Sequence, residues 1–258
     1  MDRALWISAT GMDGQNRLTE TIANNLANVN TTAYKKGNVH FQDLYYQTVT
    51  AVGAKTADSN SPVGIELGTG SRVSGITRDF SSGTMSERSE NFDLAIAGDG
   101  FFEIDLPDGS KAYTRDGHFH RDANGALVTE DGYALSGAPT IDPNASTVTI
   151  TLDGTITQRV NNVDTTAGTI QIARFANNEG LRPIGNNLFR ETEASGNVTL
   201  GTANENGHGG IRQGFLEGSN VDVVKEMVNM IAAQRAYEVI SKSIKTSDEM
   251  LRTATNLK

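Results

Sequence analysis

The sequence predicts an α+β fold in which N- and C-terminal helices pair as a coiled-coil-like core domain and a central, irregular antiparallel β domain lies between them. Three observations predict it. Apolar residues recur at helical spacing near both ends but not in the middle. Asp-Gly and Asn-Gly steps punctuate the middle at short intervals. Only 37% of the 258 residues are apolar and 27 are glycine, a composition suited to short strands and turns.

Residues 1–47 form the first half of the core domain, a helix and its following turn. No proline occurs from Ala4 to about Val29, and Leu5, Met12, Leu18, Ile22, Leu26 and Val29 make a loose stripe at helical spacing. Asp2 offers an acceptor near the helix start, and the polar run Asn28-Val29-Asn30-Thr31-Thr32 marks the exit. Residues 48–80 carry little periodicity and are expected to be an extended arm. Residues 81–200 are the β domain. Its Asp-Gly or Asn-Gly steps begin at Asp99, Asp108, Asp116, Asn124, Asp131 and Asp153, the spacing of short strands joined by tight turns. Strands are expected at 101–104, 112–115, 118–120, 126–129, 133–135, 148–152, 155–160 and 169–175. Residues 201–218 are expected to be a return linker.

Residues 219–258 supply the closing helix. Ser219 is the expected N-cap, with Asp222 three residues later. Val223, Met230, Tyr237, Ile244 and Leu251 recur every seven residues, joined by Met227, Ala233, Ile240 and Ala254. A strict seven-residue repeat favours supercoiling against a partner. The second seam position is often small or polar, at Gln234, Ser241, Ser247 and Asp248. So narrow a stripe needs another helix, and the N-terminal helix is the candidate.

Composition removes several classes of chemistry. A net charge of -9 without a basic stripe argues against nucleic acid. With no cysteine there is no disulfide, thiolate zinc site or cysteine nucleophile. No apolar run is long enough for direct membrane insertion, and the first residues lack the pattern of a cleaved signal peptide. Nucleotide-binding and serine-hydrolase motifs are absent. The strings Gly68-Thr69-Gly70 and Gly207-His208-Gly209-Gly210 read as turns rather than anion cradles. His118-x-His120 places two imidazoles on one strand face, half a metal site for which the sequence implies no third ligand. The run His120–Asp131 carries some calcium-loop letters, but an Asn124-Gly125 hairpin explains them. Glu87/Glu90 and Asp105/Asp108 are ordinary carboxylate pairs in an acidic chain. No catalytic, cofactor-binding or metal residue is assigned, no cofactor is expected, and the chain is read as not an enzyme. The reading of another class, an exported β-domain ligand-binding module or enzyme, needs a convergent pocket around His118 or His120.

Four asparagines in eight residues, Asn24, Asn25, Asn28 and Asn30, make a poor helix interior and read either as a fraying helix end or as amides that bond across helices or subunits once buried. The string Ile22–Lys35 resembles the N-terminal signature of flagellar basal-body rod and hook proteins, with Ala33 and Tyr34 where that family usually has Gly and Phe. An alanine there strains any turn that requires positive φ. Gly218–Ile231 with Gln234–Glu238 resembles the family's closing helix. Gly98–Phe102, Tyr113–Gly117 and Gly125–Thr129 resemble its central domain. Chain length and the string Phe41–Thr48 look most like the distal-rod branch, with the proximal rod next. The resemblance implies a tubular helical homopolymer that transmits torque from motor to hook. It also implies contacts with other rod and hook subunits and with surrounding ring proteins. Its place would be the basal body, from periplasm to outer membrane, reached by type III export without a cleaved signal peptide. The expected assembly interface is Leu18, Ile22, Asn24, Asn25, Leu26, Asn28, Val223, Met227, Met230, Tyr237, Ile240, Ile244 and Leu251.

Overall fold

A computed structural model describes residues 2–51 and 63–256. Among them the chain divides into two compact units. One takes in the residues up to Ala27, Gly37–Arg78 and those from Asp222 onward; the other takes in Asn28–Lys36 and Asp79–Val221.

The first unit holds two helices, α1 (Asp2–Ala27) and α2 (Val223–Asn256), which pack on each other. They run antiparallel. Asn25 reaches Glu226 at 3.2 Å, and a Cβ on Gly11 would lie 3.5 Å from Ile240 Cδ1. Asn25 and Gly11 are as far apart on α1 as Glu226 and Ile240 are on α2. The cap of α2 is Asp222, not Ser219. Asp222 Oδ1 accepts the N–H groups of Val224 and Lys225 at 2.9 and 3.2 Å, and a carboxylate also suits the positive end of the helix dipole. Ser219 instead accepts the Val221 N–H in the preceding turn.

The expected arm is largely strand. β1 (Gly37–Asp43) pairs antiparallel with β4 (Ser71–Arg78), and β2 (Gln47–Thr50) with β3 (Ile65–Leu67). Backbone pairing supplied the order that side-chain periodicity did not advertise. Residues 52–62 of the arm lie outside the described residues.

The second unit is the antiparallel β body. A seven-stranded sheet runs in the order 182–185, 188–190, 111–114, 102–105, 134–135, 127–128, 120–121. A three-stranded meander (147–150, 155–160, 163–169) and three strand pairs complete it. The expected return linker is not one. Residues 210–213 pair with 94–97, and 215–217 pair with 85–87. Alternation along a strand sends adjacent side chains to opposite faces. Phe102 enters the aliphatic core with Leu94, Ile96 and Ile156, while Phe101 joins Tyr113, Phe175 and Phe189. Those rings meet edge-to-face, Tyr113 and Phe175 at 4.8 Å. Asn124-Gly125 forms the expected hairpin turn, with φ +82° at Gly125. Asp116-Gly117 does not follow that rule. A Cβ on Gly117 would fall 1.6 Å from the Leu94 carbonyl oxygen, so glycine is needed there for close strand approach.

The chain crosses the boundary of this unit at four places, and one buried cluster ties together the segments at three of them. Lys35 Nζ donates to Glu217 Oε1 at 2.7 Å and to the Ser81 carbonyl at 2.7 Å, with both ionic side chains fully buried. The same carboxylate oxygen accepts the Gly83 N–H at 2.8 Å. Arg115 Nη1 stands 3.6 Å from the other oxygen, and its guanidinium also donates to the Ile96 and Gly98 carbonyls. Burial pulls the Lys35 ammonium below its ordinary pKa, and Glu217 opposes that shift. Asn220 finishes the staple: its Oδ1 accepts the Lys36 N–H at 2.8 Å and its Nδ2 donates to the Asp79 carbonyl at 2.8 Å.

Ala33 occupies the left-handed region at φ +54° while its N–H bonds the Glu217 carbonyl at 2.8 Å. Left-handed strain costs an alanine about 1–2 kcal/mol. Its buried methyl returns about 0.8 kcal/mol, and its stiffer unfolded chain about 0.4–1 kcal/mol relative to glycine. The near-cancellation explains how alanine persists there.

Two outcomes follow for urea-denaturation midpoints of the β unit. Glu217→Ala strands two buried cations and should cost about 3–5 kcal/mol, with part recovered in Lys35→Met/Glu217→Leu; a loss under about 1 kcal/mol would refute the staple. Ala33→Gly should shift stability by less than about 1 kcal/mol, whereas β-branched Ala33→Val should cost more than about 2 kcal/mol, since left-handed strain and a tight site add. Equal effects of the two changes would contradict the strain argument.

Candidate assembly interface

The two helices present different chemistry inward and outward. Along α2 the most buried positions are Glu226, Ala233 and Ser247, and half-buried Ile240 fills the gap between the last two. They recur every seven residues and lie at the second position of the expected seam, three residues after each residue of its first position. In the predicted seam Val223 and Tyr237 are exposed, and Met230, Ile244 and Leu251 are half-buried. Gly11 on α1 leaves room for the Ile240 side chain, whose Cδ1 a Cβ there would meet at 3.5 Å. The side chain of Ala254 lies outside the described residues.

On α1, Ile22 and Asn25 are buried within the subunit, Leu18 and Leu26 are half-buried, and Asn24 is exposed. Asn25 explains the asparagine-rich string best. Its Nδ2 donates to the Gly37 carbonyl (3.0 Å) and to Glu226 Oε2 (3.2 Å), and its Oδ1 accepts the Gly37 N–H (2.8 Å). One amide thus joins α1, α2 and the start of β1. Asn28 has a local task in the β unit: its Oδ1 accepts the Thr31 hydroxyl at 3.1 Å. Ile22 and Asn25 therefore hold the subunit's own elements together.

The outward face of α2 was missed by the heptad reading. Val224 (71% exposed), Val228 (60%) and Ile231 (58%) lie about half a turn from the buried stripe, and Val239 (66%) and Met250 (52%), nearer to it around the helix, are exposed as well. Val228, Val239 and Met250 recur every eleven residues, close to three whole turns, and so form one line down the helix. Met227 adds to this surface, also half exposed. The strands β1–β3 are similarly apolar outside, with Phe41, Val49, Ile65 and Leu67 all exposed, and Tyr45 between strands almost fully so. Searching for a second period of eleven would have found the outer line.

Three family descriptions match this chain: flagella basal body rod protein over residues 5–35, flagellar hook protein FlgE/F/G D1 domain over 95–158, and flagellar basal body rod FlgEFG protein C-terminal over 212–257. Flagellar basal-body rod protein FlgG of Buchnera aphidicola is 44% identical, covering 96% of this chain and 97% of the relative. FlgG of Borreliella burgdorferi is 45% identical, covering 100% and 99%. This chain belongs to the flagellar basal-body rod family. Within it, flagellar basal-body rod protein FlgF of Caulobacter vibrioides is 35% identical over 98% of this chain and 97% of its own length.

The two terminal family matches meet in space. Within the β unit, Ala33 and Lys35 of the first bind Glu217 of the second, and the Asn220 N–H reaches the Tyr34 carbonyl at 3.4 Å. Within the helical unit, Asn25 binds Glu226. Both ends of this rod-family chain are therefore needed to complete either unit. Glu217 lies outside the predicted interface, because nothing near it in sequence marks it as buried.

Asn25→Ala should destabilise the helical unit by about 2–3 kcal/mol, since it strands the Gly37 N–H and the buried Glu226 carboxylate. The measurement is the helical circular dichroism signal against temperature. An unchanged melting profile would mean that the three hydrogen bonds do not form in solution.

Proposed function

We propose that this chain is a structural, non-enzymatic subunit of the flagellar distal rod. In this reading it polymerises into a tubular drive shaft that carries torque from motor to hook. One observation carries it: α2 buries Glu226, Ala233 and Ser247, with Ile240 half-buried between the last two, while Val224, Val228, Ile231, Val239 and Met250 stay exposed along its length. Exposed apolar surface of that extent marks a protein-protein interface. A helical polymer supplies the cover, because heterologous contacts that do not close on themselves repeat indefinitely. The distal branch is favoured over the proximal one because the two FlgG relatives exceed the FlgF relative in identity by about ten percentage points.

The finer parts of the reading rest on the same surfaces. The helices of neighbouring subunits pack in coiled-coil fashion through Met227, Val228, Val239 and Met250, with Val223, Tyr237, Ile244 and Leu251 at the margins. The strands of the 48–70 region lie across adjacent subunits through Val49, Ile65 and Leu67 and stiffen the shaft. Other rod and hook subunits join at its ends, and ring proteins surround it between periplasm and outer membrane. Export runs through the flagellar type III apparatus without a cleaved signal peptide.

The test is Val228→Asp with Val239→Asp. Both positions are mostly exposed in the subunit, so each change should alter its stability by less than about 0.5 kcal/mol. Each would bury an unpaired charge at every interface of a polymer, at a cost of several kcal/mol per copy. Rods in electron micrographs and swimming motility should both vanish while the folded, exported subunit persists. Normal rods from the double variant would place this face in solvent and end the proposal.

A further inference from the structure

The β unit holds a cluster that the structural role does not use. His118 and His120 are neighbours across one residue, and their ring centroids lie 4.7 Å apart. Glu130 comes from the turn of the adjoining hairpin (127–128, 134–135), with its Oε1 3.7 Å from His118 Nδ1. One donor atom from each of the three residues lies within 4.8 Å of the others. This is the third ligand that His118-x-His120 lacks as a sequence motif, and only the pairing of strands 120–121 and 127–128 brings it near.

A second feature stands behind the cluster. Asp93 Oδ1 is 4.0 Å from His118 Nε2, the ring nitrogen facing away from Glu130. The Asp93 side chain is 3% exposed, and Oδ1 has no hydrogen-bond partner among the described residues. A buried carboxylate oxygen without a donor is costly unless something completes its coordination. When one imidazole nitrogen binds a metal, the other carries a proton and donates it to a carboxylate behind, fixing the ring. Asp93 occupies that position, and a shift of about 1 Å would bring it into hydrogen-bond range of Nε2. On the open side, His118 and Glu130 line a cavity of about 210 Å³ with Asp116, Asp131 and Asn187, room for an ion's remaining water ligands.

We propose that His118, His120 and Glu130 form a binding site for a divalent transition-metal ion of the zinc class, with Asp93 orienting His118 from behind. Two imidazoles and a carboxylate without sulfur suit zinc, cobalt or nickel and disfavour calcium and magnesium, which prefer all-oxygen sites. The ion clamps the 127–135 hairpin to the strand at 118–121, a structural cross-link in a chain that has no cysteine for disulfides. No reaction is assigned to it.

The purified full chain is titrated with Zn²⁺ by calorimetry and with Co²⁺ by visible absorption, and its thermal midpoint is followed in parallel. Expected are saturation at one equivalent, d–d absorption of nitrogen- and oxygen-ligated Co²⁺, and a raised midpoint with Zn²⁺ but not with Mg²⁺. His120→Gln, at an exposed position, should weaken Zn²⁺ affinity at least about tenfold, as should Glu130→Gln. Asp93→Asn should weaken it by about 10- to 100-fold while leaving the ligands in place, the range that outer partners carry. His40→Gln, at the other exposed histidine, should change nothing. Absence of saturable binding would overturn the site. So would equal affinity in the His118→Gln/His120→Gln chain, or loss of binding on His40→Gln alone.

Discussion

A lysine ammonium without exposed surface survives only where an anion and further acceptors surround it, and Lys35 meets that condition through Glu217 and the Ser81 carbonyl. The two partners are 182 residues apart. Closing so long a loop brings the entropy cost before any contact rewards it, so the β unit cannot be completed until its last strand is in place. Arg115 leaves the cluster with two cations for one carboxylate. The surplus is met by the Ile96 and Gly98 carbonyls and by the face of Phe101, 5.7 Å from the guanidinium carbon. The left-handed turn at Ala33, the Asn220 staple and the strand pairs of residues 85–97 with 210–217 all gather around this cluster.

The helical unit follows a different economy. In an ordinary globular helix the large apolar side chains face inward and the outer face is polar. Here α2 places Ala233 and Ser247 inward and Val224, Val228, Ile231 and Val239 outward. Gly11 leaves room for Ile240 between the two helices. Several large apolar side chains are left exposed. Hydrogen bonds such as those of Asn25 join the helix pair, and the exposed apolar face is the one on which the proposed assembly rests. Family membership and this division of surface support each other.

Much of this was legible along the chain. The α+β class, the terminal helices, most strands of the β body and the family signatures depend on local periodicity and turn chemistry, which neighbouring residues determine by themselves. The asparagine-rich string left two readings open, a fraying helix end or amides bonding across helices, and the three hydrogen bonds of Asn25 decide for the second at that position. The return linker and the arm were misjudged for one reason. Strands such as 210–213 and 71–78 take their order from hydrogen bonds to distant strands, and short edge segments show little alternation.

Tertiary structure alone decided the rest. The heptad in α2 announced a helix that needs a partner, yet which stripe is inward depends on where Gly11 and Asn25 stand on α1. Glu217 reads as one more acidic residue in an acidic protein until Lys35 is placed against it. His118 and His120 form half a site until the hairpin delivers Glu130. Sequence by itself determined what each segment tends to become, since φ/ψ preference and side-chain period are local properties. Burial, charge pairing and ligand geometry belong to pairs of residues, and only the fold brings residues 35 and 217, or 118 and 130, within reach of one another.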